Sequence, residues 1–203
     1  TLEWFANFRL PALAIYGRFQ RLNMPGIGIS KEHTTEKVIN RLVELGHRRI
    51  VLMVRGERRK PHLGSAELKV LKLLESHGIK TSSYNIPDWK ESSGGLQECL
   101  DNLLLHTPPT AMIVGDPALF HAIHIHLANR GLKSPEHISL FCDDYAESFE
   151  WVLPSIAHIR WDHRPILRRV LQWINNVTLG KEDFKHTLTS AKLVDDGTIG
   201  PML

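Results

Sequence analysis

Short apolar blocks alternate with stretches in which apolar residues recur at helical spacing, and this alternation runs through almost the whole chain. Leu2 to Phe8 reads as a short amphipathic helix, and Pro11 introduces an apolar run, Ala12 to Tyr16, that reads as a strand. Residues Gly17 to Pro25 form a polar, Arg-bearing loop. Thr34 or Thr35 suits the cap of a helix carrying Val38, Ile39, Leu42, Val43 and Leu45, and Gly46 supplies its left-handed stop. Arg49 to Val54, rich in aliphatic residues, is a buried strand. A basic stretch, Arg55 to His62, leads to a helix from about Ser65 to His77, which Gly78 ends.

The second half repeats the alternation. Asn85 to Ile86 is a candidate short strand, and Ser92 or Ser93 opens a helix with Leu96, Leu100, Leu103 and Leu104 on one face. Pro108 and Pro109 precede the strand Ala111 to Val114. Pro117 fits the first turn of a helix running to Arg130, where Gly131 closes it. Ile138 to Cys142 and Ile156 to Arg160 read as strands, Pro165 to Val177 as a helix, and Leu188 to Val194 as the last strand. Strands joined by helices of this length predict an α/β fold with parallel, doubly wound sheets and right-handed crossovers. In such folds ligands bind at the carboxyl ends of the strands, which directs attention to the loops after Tyr16, Val54, Val114 and Cys142.

Composition narrows the function classes. At 42% hydrophobic and 23% charged, the 203 residues match an ordinary globular domain rather than a disordered or fibrous chain. A net charge of +3 falls well short of the dense basic stripe of a domain that grips nucleic-acid phosphates itself. The longest apolar runs, such as Ile50 to Val54, are too short to span a bilayer, so no membrane partner is expected. Cys99 and Cys142 form no CxxC pair and sit in apolar surroundings; reduced, inert thiols suit the cytoplasm. No GxSxG, HExxH or GxxxxGK[ST] motif occurs, so neither catalysis nor a cofactor is expected. His121, His124 and His126 raise a zinc hypothesis, but His126 leaves the face shared by the other two and no Cys or acid completes a site, so no metal is expected.

Four stretches, in order and in register, resemble the LacI/GalR family of transcriptional regulators: Leu45-Gly46-His47-Arg48-Arg49-Ile50, Pro109-Thr110-Ala111-Met112-Ile113-Val114-Gly115-Asp116, His137-Ile138-Ser139-Leu140-Phe141-Cys142-Asp143-Asp144, and Leu153-Pro154-Ser155-Ile156-Ala157-His158-Ile159-Arg160. The resemblance covers nearly the whole chain. It implies a type I periplasmic-binding-protein-like fold with one complete lobe and part of a second. Residues 29–159 with 188–203 would be the distal lobe, and residues 1–28 with 160–187 what is present of the proximal one, with crossovers near Ile29, Arg160 and Leu188. It also implies that strands and helices of the proximal lobe precede Thr1, and that the DNA-binding module lies outside this chain; its type and position stay open.

The resemblance assigns candidate ligand contacts, each beside a plainer reading. Asp143, ending a strand together with Asp144, suits a bidentate grip on sugar hydroxyls or a turn. Asp116 suits the cap of the helix at Pro117, a cleft position, or both. Trp89 offers an indole face for a pyranose, or folds back on the core. His163, after the crossover at Trp161-Asp162, and Arg18, after the strand ending at Tyr16, occupy cleft positions of the family, or are surface residues. One departure is visible: the family's arginine on the first turn of the helix near Ser65 has no counterpart in His62-Leu63-Gly64-Ser65-Ala66-Glu67. Ser65 stands as the candidate contact on that turn. Arg55, Arg58, Arg59 and Lys60 are candidate substitutes for the arginine, although their pattern favours a solvated charge run.

His121, Ile125 and Trp151 mark a surface by which two protomers of the family pair. The expected function is therefore an allosteric sensor. A small molecule, a sugar or sugar derivative, binds between the lobes of a homodimer and changes the affinity of an outside module for operator DNA. The alternative is a solute-binding protein of a transporter, which shares the fold, and a third reading is an enzyme of the same architecture.

Overall fold

The computed structural model describes residues 2–7, 10–17, 19 and 21–202. In chain order its elements are α1 (Leu2–Asn7), β1 (Ala14–Ile15), β2 (Gly26–Ser30), α2 (Glu32–Glu44), β3 (Ile50–Met53), α3 (Gly56–Arg59), α4 (Ser65–Ser76) and α5 (Ser93–His106). There follow β4 (Ala111–Val114), α6 (Pro117–Asn129), β5 (Ser139–Cys142), a 3-10 turn (Glu147–Trp151), β6 (Ala157–Trp161), α7 (Arg164–Thr178) and β7 (His186–Val194). Two compact units result. The smaller comprises Thr1–Lys31 and Trp161–Lys192, and the larger Glu32–Arg160 and Leu193–Leu203. The chain changes unit at three points, two of them inside β6 and β7.

In the larger unit β3, β4, β5 and β6 lie side by side in that order, all parallel, with Ala111 opposite both Ile50 and Ser139. Every position of β3, β4 and β5 is buried, as a sheet covered on both faces requires. Met112, Val114, Leu140 and Cys142 pack with Phe120, Ile123 and Leu127 of α6 and with Leu100 and Leu103 of α5. Each such side chain contributes roughly 1.5–3 kcal/mol when fully buried. The helix ends follow their capping residues. Ser92 accepts a hydrogen bond from Gly95 N to start α5, Asp116 accepts one from Leu119 N to start α6, and Gly131 leaves α6 at a φ of 72°.

Three expectations change in this unit. α2 begins at Glu32, so Thr34 lies inside the helix and faces the core instead of capping it. Asn85 and Ile86 form no strand: Leu52 N donates to Asn85 O at 2.7 Å and Asn85 Nδ2 to Ile50 O at 2.9 Å, too little pairing to extend the sheet. The basic stretch after Val54 contains α3, where Arg59 is buried and Arg58 partly so, while Arg55 and Lys60 stay exposed as a solvated run would.

The smaller unit holds three parallel strands in the order β1-β2-β7. β2 escaped the periodicity reading because it begins Gly-Ile-Gly-Ile, with half its side chains missing. The glycines are needed: a Cβ on Gly26 would land inside the ring of Phe19, and one on Gly28 would press on the same ring. Phe19 and Met24 are buried beside Ala14, so the segment expected to be a polar loop carries core residues.

An ion pair fastens α7 to the turn before β7. Arg169 donates to both Asp183 oxygens at 2.9 and 2.7 Å and to Lys185 O at 3.0 Å, while Asn176 Nδ2 and Lys185 N also donate to Asp183. Both side chains are almost wholly buried, 4% and 7% exposed. Burial pushes the Asp183 carboxyl up, but the hydrogen bonds from Asn176, Arg169 and Lys185 outweigh it and hold the group below the ordinary carboxylate range. A carboxylate lowered in this way stabilises the fold above its unfolded pKa, and that contribution is lost as pH falls through the folded value. Asp183→Asn is therefore expected to cost about 3 kcal/mol in urea unfolding at neutral pH, with a difference from the parent that shrinks towards pH 3. A difference that is constant with pH would show that the charge of Asp183 is not what holds the turn.

Candidate ligand-binding site

Because β3, β4 and β5 run parallel and in step, the residues that follow them emerge together at one end of the larger unit's sheet. Gly115 N donates to Met53 O at 2.8 Å and Asp143 N to Val114 O at 2.7 Å, so Arg55, Asp116 and Asp143 follow three neighbouring strand ends. No charge fits along the strands, and the polar groups gather here.

Arg58 is the centre of this group. It sits on the single turn of α3, and its Nε donates to Glu67 Oε1 at 2.6 Å. Its terminal nitrogens reach Asp143 Oδ2 at 3.4 and 3.5 Å and Gly115 O at 3.5 Å. The Glu67 side chain is 2% exposed, that of Asp143 11% and that of Arg58 26%, so two buried carboxylates face one largely covered guanidinium. Burial works against the Arg58 charge, and Asp143 and Glu67 more than offset it, raising its pKa above the ordinary value. Gly115 makes room for this arrangement: a Cβ there would stand 2.9 Å from Arg58 Nη1 and 2.8 Å from Val54.

Asp116 fills the capping role expected of it and also holds Arg55 at the strand end. One oxygen caps α6, and the other accepts from Arg55 Nε at 3.0 Å. That hydrogen bond and the charge of Asp116 raise the pKa of Arg55. A second brace lies at the end of β3, where Arg59 Nε and Trp89 Nε1 both donate to Val54 O, at 3.0 and 3.2 Å. Arg59 also donates to Trp89 O, pairs with Asp88 and lies 5.3 Å from the Trp89 ring centre. The indole is buried and carries this brace.

The other candidates lie elsewhere. Ser65 is the exposed first residue of α4, two positions before Glu67. His163 belongs to the smaller unit, exposed at the start of α7, with its ring 5.9 Å from that of Trp161. Arg18 lies outside the described residues. His121 is half-buried against Phe149, whereas Ile125 and Trp151 are 60% and 77% exposed. His126 turns inward and pairs with Asp101 at 3.0 Å. Among the described residues no cluster of His, Cys, Asp and Glu could hold a metal ion, and no helix is long and apolar enough to cross a membrane. Sequence reasoning missed Glu67, although a signal existed. Glu67, Val70 and Leu74 are the buried residues of α4 and share one helical face, so an acid stands where an apolar residue is expected.

The sequence matches the family described as periplasmic binding protein-like domain over residues 39–198. No curated protein sequence matches. Among solved structures, the chain is similar to a LacI family transcriptional regulator from Enterococcus faecium with bound ribose, at 13% identity and TM-score 0.79, covering 95% of this chain and 72% of that one. It is similar to a LacI family regulator from Arthrobacter in complex with lactose, at 14% identity and TM-score 0.75, covering 93% and 70%. It is likewise similar to a transcription regulator from Lactobacillus plantarum, at 19% identity and TM-score 0.78, covering 95% and 74%. At these identities the likeness is one of fold.

The geometry sets an expectation for stability. Arg58→Met leaves the Glu67 carboxylate buried without its countercharge and is expected to cost about 3 kcal/mol in urea unfolding, while Arg58→Met with Glu67→Leu regains most of the loss. A single variant as stable as the parent would mean that Glu67 is compensated by some other group.

Proposed function

The chain belongs to the periplasmic-binding-protein-like domain family, and from that premise we propose that it is the ligand-sensing part of a bacterial transcription regulator. Its effector is a sugar or sugar derivative, bound at the strand ends that carry Arg58, Asp143 and Asp116. The observation that carries this reading is the pairing of Arg58 with Asp143, which sets a donor beside an acceptor. A sugar hydroxyl both donates and accepts, so neighbouring hydroxyls match such a pair, and charged partners give the stronger hydrogen bonds. The ribose-bound and lactose-bound relatives in fold support a sugar over other small molecules. Ser65, on the same unit, remains a proposed outer contact, while Trp89 serves by bracing the end of β3.

The regulator reads occupancy because the effector prefers one of two conformations of the protein, and a DNA-binding module outside this chain prefers one of the same two. Operator DNA is thus a partner through that module. The exposed Ile125 and Trp151, with His121, support a two-fold apolar contact between protomers. The proposed protein works in the cytoplasm, where Cys99 and Cys142 stay reduced, and it catalyses no reaction.

Isothermal titration of the full-length regulator with ribose and lactose tests the reading. Binding in the range of about 1 µM to 1 mM is expected for at least one sugar, weakened by about tenfold or more in Asp143→Asn. Saturating operator DNA is expected to change that affinity, and an unchanged effector affinity rules out the coupling. Sedimentation of the parent at micromolar concentration is expected to show a dimer that Trp151→Ala weakens; a monomeric parent overturns the pairing surface.

A further inference from the structure

The larger unit has a pocket at the ends of these strands opposite to those that carry the Arg58 group. It measures about 550 Å³, within the size range of small-molecule sites, and opens where β3, β4 and β5 begin. A four-residue strand spans about 13 Å, so this pocket is separate from the group around Arg58. The C-terminal segment forms one wall, fastened by Met202 N to Leu45 O at 2.9 Å and by Ser139 Oγ to Gly200 O at 3.1 Å. Leu104, Leu132, Pro108, Pro135 and Met202 make the lining mostly apolar.

The polar groups in this lining are mainly donors. Arg49 Nε donates to Pro108 O at 2.6 Å, which aims the side chain, and its terminal nitrogens take no hydrogen bond among the described residues. His137 Nδ1 accepts from Lys133 N at 3.1 Å, which puts the proton of the neutral ring on Nε2 as a further donor. Glu136 is on the rim, with Lys133 Nζ at 3.8 Å, so Arg49 is the charge left unbalanced. His47, also in the lining, is 2% exposed; its Nε2 lies 2.9 Å from Gly200 O and its buried Nδ1 has no partner among the described residues. With Nε2 donating to Gly200 O, Nδ1 is the lone-pair nitrogen of the ring and takes no part in holding an anion.

We propose that this pocket is a second small-molecule site that takes an organic anion, a carboxylate on an apolar body, with the carboxylate on Arg49 and His137 and the body against the leucines and prolines. The proline-rich lining gives a stiff apolar wall, and a guanidinium at its mouth with both terminal nitrogens unused has the fork geometry that a carboxylate matches.

Benzoate, with benzamide as its uncharged counterpart of the same shape, tests the site by nitrogen–proton correlation spectra of the full chain. Benzoate up to about 10 mM is expected to give saturable shifts at the amides of Arg49, Thr110 and His137, with those of Arg55, Asp116 and Asp143 unmoved. Benzamide is expected to bind about tenfold more weakly, and Arg49→Gln and His137→Phe each to weaken benzoate several-fold. The absence of saturable shifts, shifts centred on Asp143, or equal binding of benzoate and benzamide would each overturn the proposal. The comparison of the two ligands on the parent decides the matter even if a variant fails to fold.

Discussion

A strand buried on both faces has nowhere to keep a charge along its length, and β3, β4 and β5 are buried at every position. Polar chemistry in the larger unit is therefore pressed to the two ends of the sheet, and parallel direction makes the two ends unlike. Helices start after the strands at one end, so capping acids such as Asp116 stand there beside Asp143. Chain returning from the helices arrives at the other end, bringing Arg49, Pro108 and His137. The polar groups at both ends follow from one topological fact, and within these three strands only Ser139, at the start of β5, adds a hydroxyl to them.

The exception is Glu67, an acid turned into the core from α4. A buried carboxylate without a countercharge costs several kcal/mol, so its presence requires Arg58, and Arg58 in turn requires the turn of α3 and the missing side chain of Gly115. Replacing both charges with apolar groups is the change such pairs commonly tolerate. That the pair is kept at a strand-end site fits a role in orienting Arg58 towards Asp143 better than a role in stability.

Strand β4 was legible to the residue, because four apolar residues stand between Pro-Pro-Thr and Gly-Asp-Pro and both flanks are strong punctuation. α6 was legible for the same reason, its capping acid and proline being adjacent in sequence. β2 was not, since its glycines answer to Phe19, whose burial the local pattern of residues 17–25 conceals. The basic stretch after Val54 failed in the same way. Arg58 meets partners nine and eighty-five residues further along the chain, and Arg59 spans twenty-nine residues to Asp88, so a local charge pattern reads them as solvated when they are held. The strand ends that carry Asp143 and Asp116 were legible because apolar runs locate them; the pairing of those acids with Arg58 and Arg55 was not, because pairing across loops has no local signature.

The contacts of Arg58 are unequal, and the inequality bears on how an effector would be admitted. A charge-assisted hydrogen bond is usually about 2.7–2.9 Å long; the 2.6 Å bond to Glu67 is slightly shorter than this, and the 3.4 and 3.5 Å approaches to Asp143 are well beyond it. Glu67 is also the less exposed of the two acids, which makes its bond the more costly to break. Under the proposed function, a sugar hydroxyl arriving at Asp143 exchanges a long contact for a short one and leaves the Glu67 anchor in place. Arg58 then turns about a fixed Nε, and its terminal nitrogens become donors for the same ligand. The site needs no unpaired charge in either condition, so the empty and the occupied forms both remain folded, as a protein that reports occupancy must.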